Sequence, residues 1–178
     1  GVADCMNLKA YSSQFGLSNN QIYCNAGVFL VDLKKWRAQK VEDRIKNVIQ
    51  TKNGNVFFFE QTLMNYCCRG KIAKLHPRYN TYTLFYAFDY ENLLRWRNPT
   101  SFYTYQEVLE AKEEPAIIHF TRNFYMLSRP WIEGCDHPLT NKYCDYKKKT
   151  PWPMLGSDNR SRKQIARYKL WHLIPQKL

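Results

Sequence analysis

The sequence predicts a single α/β domain, and two observations support this. Short apolar runs typical of buried strands alternate along the chain with segments whose apolar residues recur at helical spacing. The composition is globular, with 44% hydrophobic and 24% charged residues in a chain of 178 residues, which is room for one domain. No apolar run approaches the roughly 18–20 residues that cross a bilayer.

The first half of the chain predicts a strand and two helices. Residues 22–33 form a nearly continuous apolar run, which predicts a buried strand interrupted at residues 25–27. Asp32 then opens a helix whose apolar positions continue to Ile49, and Asn53-Gly54-Asn55 ends it. A second helix is predicted over residues 60–69, with Gly70 as its C-cap.

The second half predicts two short strands and three helices, while the aromatic stretch 79–90 fits neither pattern. Residues 116–120 read as a short buried strand that contains His119 near its end. The remaining predicted elements are a strand over 71–75 and helices over 105–113, 141–149 and 160–173.

The charge of +12 is concentrated at the C-terminal end. Residues 147–178 carry +8 of it, and the preceding residues carry +4. A basic segment of this kind predicts an anionic partner: nucleic acid, phospholipid or a phosphorylated substrate.

The six cysteines do not follow a zinc-ribbon spacing, because no C-x-x-C occurs. Cys135, His137 and Cys144 are a minor candidate for a metal site. Free buried thiols in a reducing cytosol are the favoured interpretation.

Three polar features interrupt the apolar pattern, and each has two readings. Asn25-Ala26-Gly27 is either a structural bulge or a close approach of a ligand to the backbone. Glu60-Gln61 either caps a helix N-terminus or binds a ligand there. His119, at the carboxyl end of a strand, is either a satisfied structural residue or a metal ligand.

Several enzyme and binding classes are unsupported. The chain contains no G-x-S-x-G, H-E-x-x-H, Walker or G-x-G-x-x-G motif, and nothing matches an RNA-recognition or zinc-finger motif.

Five segments, in order over most of residues 21–152, together resemble glycosyltransferase family 8, the family of glycogenin and of bacterial lipopolysaccharide galactosyl- and glucosyltransferases. The first, YCNAGVFLVDLKKWR at 23–37, is similar to the family's N-[SA]-G-V…L-x-x-W-R segment. The others are FEQTLMN at 59–65, LHPRYN at 75–80, IIHFT at 117–121 with RPW at 129–131, and the segments around 134–138 and 150–152, which are similar to the bacterial branch.

The resemblance implies a GT-A-type nucleotide-sugar transferase fold, of which this chain would be the C-terminal portion: a mixed sheet flanked by helices, plus a basic C-terminal helix. It implies a retaining enzyme that uses Mn²⁺ and a UDP-hexose, UDP-glucose or UDP-galactose, and a glycan or lipopolysaccharide-type acceptor. By the same resemblance His119 is the metal ligand, and Glu60 and Gln61 are the catalytic residues. Asn25, Ala26, Gly27, Glu60 and Gln61 would bind sugar, and Arg122 and Arg129 would bind the diphosphate.

The chemistry constrains what Gln61 can do. Its amide oxygen is uncharged and therefore a poor nucleophile, so electrostatic support of an oxocarbenium-like transition state is favoured over direct attack. The family's D-x-D metal motif does not occur in this chain. We therefore expect residues 1–155 to be the C-terminal part of the catalytic domain. The isolated chain should have little or no transferase activity.

Residues 156–178 are predicted to be a basic amphipathic tail. Aromatic and aliphatic residues mix there with Lys and Arg, which fits either an interfacial helix on an anionic membrane or a terminal helix packed on the domain. The first reading implies a cytoplasmic protein, peripheral on the inner face of the membrane. Two other functions stay open: a basic nucleic-acid-binding module and a non-catalytic sugar-binding subunit.

Overall fold

The computed structural model describes residues 15–16, 23–97, 102–122, 126–132, 134–153 and 161–173. Helices dominate these ranges, and two short strands form a parallel pair. In chain order the elements are α1 (Leu33–Ala38), α2 (Val41–Thr51), α3 (Phe59–Cys67), a 3₁₀ turn (Pro77–Asn80), β1 (Thr81–Tyr82), α4 (Leu84–Ala87), α5 (Tyr90–Arg97), α6 (Tyr105–Glu113), β2 (Ile118–His119), α7 (Thr140–Lys148) and α8 (Arg162–His172).

The prediction of a buried strand over residues 22–33 is wrong for its described part, residues 23–33. The chain there bends at residues 26–28 and forms one isolated bridge, at Cys24. Phe29 is 58% exposed and Leu30 is 87% exposed. Apolar side chains alone do not make a strand, because a strand also needs a neighbour for its backbone groups. No strand in the described ranges pairs with this run.

The helix predicted to begin at Asp32 does so, but it is two helices. The Asp32 side chain caps α1 by accepting a hydrogen bond from the Lys35 N–H at 3.0 Å. That bond lowers the pKa of the Asp32 carboxyl. The break falls at Lys40, whose φ of 50° is left-handed and cannot continue a helix. The predicted stop is confirmed, since α2 ends at Thr51 and Gly54 has a φ of 74°.

The two strands set the position of His119. β1 and β2 pair in parallel, with Thr81 opposite Ile118 and Tyr82 opposite His119. The predicted strand at 116–120 is therefore confirmed in type but is only two residues long. The strand predicted at 71–75 does not form, and β1 follows it in the stretch that the sequence pattern left unassigned.

The main core lies around β1, and most of residues 81–93 are buried in it. Phe85, Leu93 and Tyr103 are almost completely buried there. Helix α6 packs on this cluster through Val108 and Ala111. Its bounds match the predicted helix, because Thr104 and Glu107 form a reciprocal capping box.

The C-terminal helices form close to their predicted bounds, as α7 and α8. Within the described ranges, every helix is too short or too polar to span a membrane.

Candidate active site

One cleft brings together nearly all of the predicted site residues. Its volume is about 580 Å³, and it lies at the carboxyl end of β2, where the N-terminal turn of α3 meets the bend at residues 25–27. Of the predicted residues only Ala26 does not line it. The lining residues are Asn25, Gly27, Glu60, Gln61, Ile118, His119, Phe120, Thr121, Arg122, Arg129 and Trp131.

The bend at residues 25–27 is folded against the imidazole. The Gly27 N–H donates to the Asn25 side-chain oxygen at 2.8 Å, which closes an Asx turn. A Cβ at residue 27 would overlap His119 Cε1 and would lie 2.9 Å from Asn25 Oδ1. Glycine is required here for space, because the backbone and the ring occupy the volume that any side chain needs.

Gln61 is tied to the same bend through its amide oxygen. Oε1 accepts from the Asn25 side-chain amide at 3.0 Å and from the Ala26 N–H at 3.4 Å. Ala26 therefore contributes its backbone N–H, although it is not one of the residues that line the cleft. These contacts join two segments that are 35 and 36 residues apart in the sequence.

Asn80 links the bend to the strand pair. Its side-chain nitrogen donates to Asn25 Oδ1 at 3.0 Å, and its oxygen lies 2.9 Å from His119 Nδ1. Asn80 is only 1% exposed. Its position follows from the 3₁₀ turn that ends one residue before β1, the strand paired with β2.

Asn65 fixes the other side of the bend and was not predicted as a functional residue. Its oxygen accepts from the Cys24 N–H, and its nitrogen donates to the carbonyls of Cys24 and Gln61, each at 2.7 Å. Asn65 and Asn80 occur in two of the segments that carry the family resemblance. A second signal is that each is a polar residue in a buried, largely apolar stretch.

The start of α3 is strained where it presents Glu60 and Gln61. Phe58 and Phe59 have φ values of 56° and 42°, in the left-handed region that non-glycine residues rarely adopt. The Thr62 hydroxyl stabilises this turn by donating to the Phe57 carbonyl and by bonding the Tyr23 hydroxyl at 2.9 Å. Such strain is characteristic of sites whose geometry the surrounding fold determines.

The three charged residues of the cleft are held less tightly. Glu60 and Arg122 are exposed. The Arg129 guanidinium lies 5.7 Å from the centre of the Trp131 ring, and its Nε is buried with no hydrogen-bond partner in the part of the chain that the structure describes. Two arginines beside an amide-rich pocket supply the positive field that a phosphate group needs.

His119 is a candidate metal ligand, but the described residues do not supply a full ligand set. Burial lowers the pKa of its imidazole, which favours the neutral, ligating form. Within the described ranges no three His, Cys, Asp or Glu side chains come together as a metal site would need. The described residues therefore do not by themselves fit a divalent cation.

The alternative metal site at Cys135, His137 and Cys144 is wrong, because those side chains do not cluster either. Cys24, Cys67, Cys68, Cys135 and Cys144 are free thiols, as the favoured interpretation expected, but of these five only Cys67 is buried. His137 packs edge-on against Tyr86 and against Phe120 of the cleft, with ring centres 5.0 and 4.8 Å apart. Burial lowers its pKa to about 4.

The amides and the imidazole at the end of the parallel strand pair, with arginines beside them, fit the glycosyltransferase class that the resemblance implies, and the comparisons agree. The model of glycosyl transferase family 8 matches residues 2–133. The chain belongs to this family.

Two curated relatives of the chain are bacterial proteins. General stress protein A of Bacillus subtilis is 26% identical over 76% of this chain and 44% of the relative. A lipopolysaccharide 1,2-glucosyltransferase of Escherichia coli is 24% identical over 83% of this chain and 39% of the relative. The chain thus spans less than half the length of either relative.

Among solved structures, the chain is similar to the galactosyltransferase LgtC in complex with donor and acceptor sugar analogues. The TM-score is 0.58 at 18% identity, over 91% of this chain and 52% of that one. This similarity confirms the predicted GT-A-type fold.

Proposed function

We propose that this chain provides the sugar-binding and diphosphate-binding part of a retaining hexosyltransferase that uses UDP-glucose or UDP-galactose. The observation that carries the proposal is the convergence of Asn25, Gln61, His119 and Arg129 on one cleft. Membership of family 8 supports the reaction class. The cleft volume of about 580 Å³ suits a ligand of the size of a nucleotide sugar, since small-molecule sites span roughly 300–1,000 Å³.

The sugar is bound by the amides and the carboxylate. Glu60, at the first turn of α3, accepts hydrogen bonds from donor-sugar hydroxyls, and its charge is favoured there by the helix dipole. Gln61 lies on the reactive face of the sugar, where its NH₂ group supports the transition state by donating to the oxygen on which negative charge develops as the leaving group departs. Its oxygen already accepts two hydrogen bonds, which makes nucleophilic attack by that oxygen the weaker proposal.

The family's metal enters this proposal only through His119, as one imidazole ligand of Mn²⁺. The bound ion would act as a Lewis acid that neutralises the diphosphate leaving group. The described residues bring no group of three potential ligands together, so further ligands would have to complete the site at His119. Arg122 and Arg129 bind the diphosphate oxygens.

The acceptor is a glycan of the lipopolysaccharide type, as the E. coli relative's name suggests for that protein. We propose that the enzyme acts in the cytoplasm, on the inner membrane face, because an acceptor of this kind is membrane-bound. Helix α8 and the residue after it suit this proposal because they expose Leu170 and Leu173 beside Lys163, Arg167 and Lys169.

Vesicle co-sedimentation tests the membrane contact. We expect the chain to sediment with anionic vesicles and not with neutral ones, and a chain ending before residue 161 to lose this preference. A matched variant with Lys34, Lys35 and Arg37 of α1 replaced by Gln removes three charges elsewhere and retains it. Equal sedimentation with and without α8 would contradict the proposal.

Saturation-transfer NMR tests the sugar site. With UDP-glucose or UDP-galactose as the probe, we expect saturation of the hexose protons, and a loss of that saturation in Gln61→Ala. Gln106→Ala, a change on the exposed face of α6, is the matched control and should bind as the unchanged chain does. Binding of single-stranded oligonucleotides, without hexose saturation from either nucleotide sugar, would contradict the proposal.

Turnover by the chain alone is a separate measurement. With Mn²⁺ and either nucleotide sugar, we expect little or no release of UDP, because His119 alone binds the ion weakly. Clear turnover would show that the described ligand set is sufficient and that this part of the proposal is wrong.

A further inference from the structure

We infer that Asn80 is a positioning residue. The backbone N–H groups of residues 26 and 27 fix which atom of each neighbouring side-chain amide donates and which accepts, and we call this arrangement the hydrogen-bond polarity. Through its own amide, Asn80 determines in the same way which ring nitrogen of His119 carries the proton. The same polarity orients Gln61 so that its amide N–H groups, and not its oxygen, are available to a ligand. The inference deepens the proposed function, since it states what the cleft presents to a nucleotide sugar.

The polarity begins at the Asx turn. The Gly27 backbone can only donate, so the Asn25 atom 2.8 Å from it is the oxygen. The orientation of a side-chain amide is normally assigned from its partners, and here a backbone donor settles it. Turning the Asn25 amide over would bring an NH₂ group against the Gly27 N–H.

Asn80 receives this polarity. Its atom 3.0 Å from Asn25 Oδ1 must be the nitrogen, because two oxygens do not hydrogen bond to each other. The other atom of the same amide, the oxygen, is then the one 2.9 Å from His119 Nδ1. Asn80 is 1% exposed, so it has little access to water that would satisfy it in another orientation.

His119 completes this branch. A carbonyl oxygen 2.9 Å from Nδ1 requires that Nδ1 carry the proton in the neutral ring. Nε2 is then the nitrogen with the free lone pair. His119 lines the cleft, and the position of its free lone pair is fixed by Gly27 through three hydrogen bonds: Gly27 to Asn25, Asn25 to Asn80, and Asn80 to His119.

Gln61 ends the other branch. The Asn25 nitrogen and the Ala26 N–H are both donors, so the Gln61 atom they share is its oxygen. Its NH₂ group makes no hydrogen bond within the described ranges and lies on a residue that lines the cleft. Two N–H donors are thus left for a ligand oxygen.

The tautomer of His119 is the direct test, and it needs neither metal nor substrate. Long-range ¹H–¹⁵N spectra of the metal-free chain at pH 8 distinguish a protonated from an unprotonated ring nitrogen. We expect Nδ1 to be protonated and Nε2 to resonate far downfield. A chain with the proton on Nε2 would overturn the inference without any substitution.

Three variants separate positioning from folding. Asn80→Leu removes both bonds, so we expect the Nδ1–H tautomer to lose its dominance. Asn80→Asp keeps an acceptor for Nδ1–H and should keep the tautomer, but it lacks the donor to Asn25 and should weaken UDP-hexose binding. Asn92→Leu, at another buried asparagine on α5, is the control; it should lower stability and leave the tautomer unchanged.

An unchanged Nδ1–H tautomer in a folded Asn80→Leu chain would overturn the inference. Should that variant not fold, Asn80→Asp decides, because a change of tautomer there would contradict the assigned polarity. A correct tautomer in a chain that binds no nucleotide sugar would contradict the proposed function and leave this inference intact.

Discussion

The two halves of the cleft are built in opposite ways. The cleft floor, which we define as Asn25, Gln61, Asn80 and His119, is joined by hydrogen bonds of 2.9–3.0 Å before any ligand is bound. The cleft rim, which we define as Glu60, Arg122 and Arg129, has side chains that form no ion pair or hydrogen bond within the described ranges.

This difference shows which part of the cleft is preorganised for a ligand. A set of partly buried side chains joined by hydrogen bonds holds a fixed geometry, and such preorganisation is what makes electrostatic stabilisation effective. Exposed charges gain little from ion pairs within the protein, and they keep their full charge for a ligand. We therefore expect changes in the floor to affect folding and binding together, and changes in the rim to affect binding alone.

The change expected to break the floor most severely is Gly27→Ala. Its Cβ overlaps the His119 ring, so the ring and the bend must separate. Overpacking of this kind costs about 1–3 kcal/mol, and we expect the upper end of that range, together with loss of nucleotide-sugar binding. Urea unfolding and saturation-transfer NMR measure the two effects.

A double-mutant cycle identifies the cause of the Gly27→Ala effect. In a His119→Ala background the ring is absent, so Gly27→Ala should cost much less than it does in the unchanged chain. Equal costs in the two backgrounds would show that the imidazole is not what excludes a side chain at residue 27.

Asn65→Ala tests the anchor behind the floor. It leaves the Cys24 N–H and carbonyl without their partner, and we expect a loss of about 2 kcal/mol in the free energy of unfolding. Asn47→Ala, at an exposed position of α2, should change it by less than about 0.5 kcal/mol. Similar losses from both variants would mean that the Asn65 hydrogen bonds add no measurable stability beyond that of an exposed side chain.

Arg129→Gln tests the rim. We expect nearly unchanged stability but about tenfold weaker binding of UDP-hexose, which corresponds to about 1.4 kcal/mol. Binding of the free hexose should not change, because the guanidinium is assigned to the diphosphate. The control is Arg37→Gln on α1. Equal effects of the two substitutions would show that binding responds to the loss of any positive charge and not to Arg129 in particular.

The smallest expected effect concerns His137, which packs behind the cleft wall at Phe120 and is 3% exposed. Its pKa in the folded chain is about 4, below the ordinary value of 6.5. Between those values the unfolded chain binds a proton that the folded chain does not, so stability falls as pH falls from about 6.5 towards 4.

His137→Phe keeps the aromatic contacts and removes this titration. We expect its free energy of unfolding, measured in urea, to decline less than that of the unchanged chain between pH 7.5 and pH 4.5. Parallel declines would show that His137 does not contribute to the acid sensitivity.

The sequence predicted which residues line the cleft better than it predicted the hydrogen bonds that hold them in place. Asn25, Gln61 and His119 were identified from polar positions in apolar surroundings and from the family resemblance, and the cleft contains all three. Asn80 and Asn65 received no role, because their partners lie 55 and 41 residues away along the chain. Local spacing carries no information about such pairs.

The fold shows the same limit. The helix at residues 105–113 was predicted to the residue because its capping box is local. The strand expected at 22–33 did not form, because hydrophobic pattern predicts a strand's side chains but not the neighbour that its backbone needs.

The most direct test of the proposed function is to locate a bound nucleotide sugar on the floor and rim by NMR, using side-chain resonances of the chain titrated with UDP-galactose or UDP-glucose. We expect the hexose to shift the resonances of the Gln61 side-chain amide and the diphosphate to shift those of the Arg129 guanidinium. UDP alone should shift only the Arg129 resonances. Shifts confined to residues outside this cleft, with Gln61 and Arg129 unchanged at saturation, would contradict the proposed function.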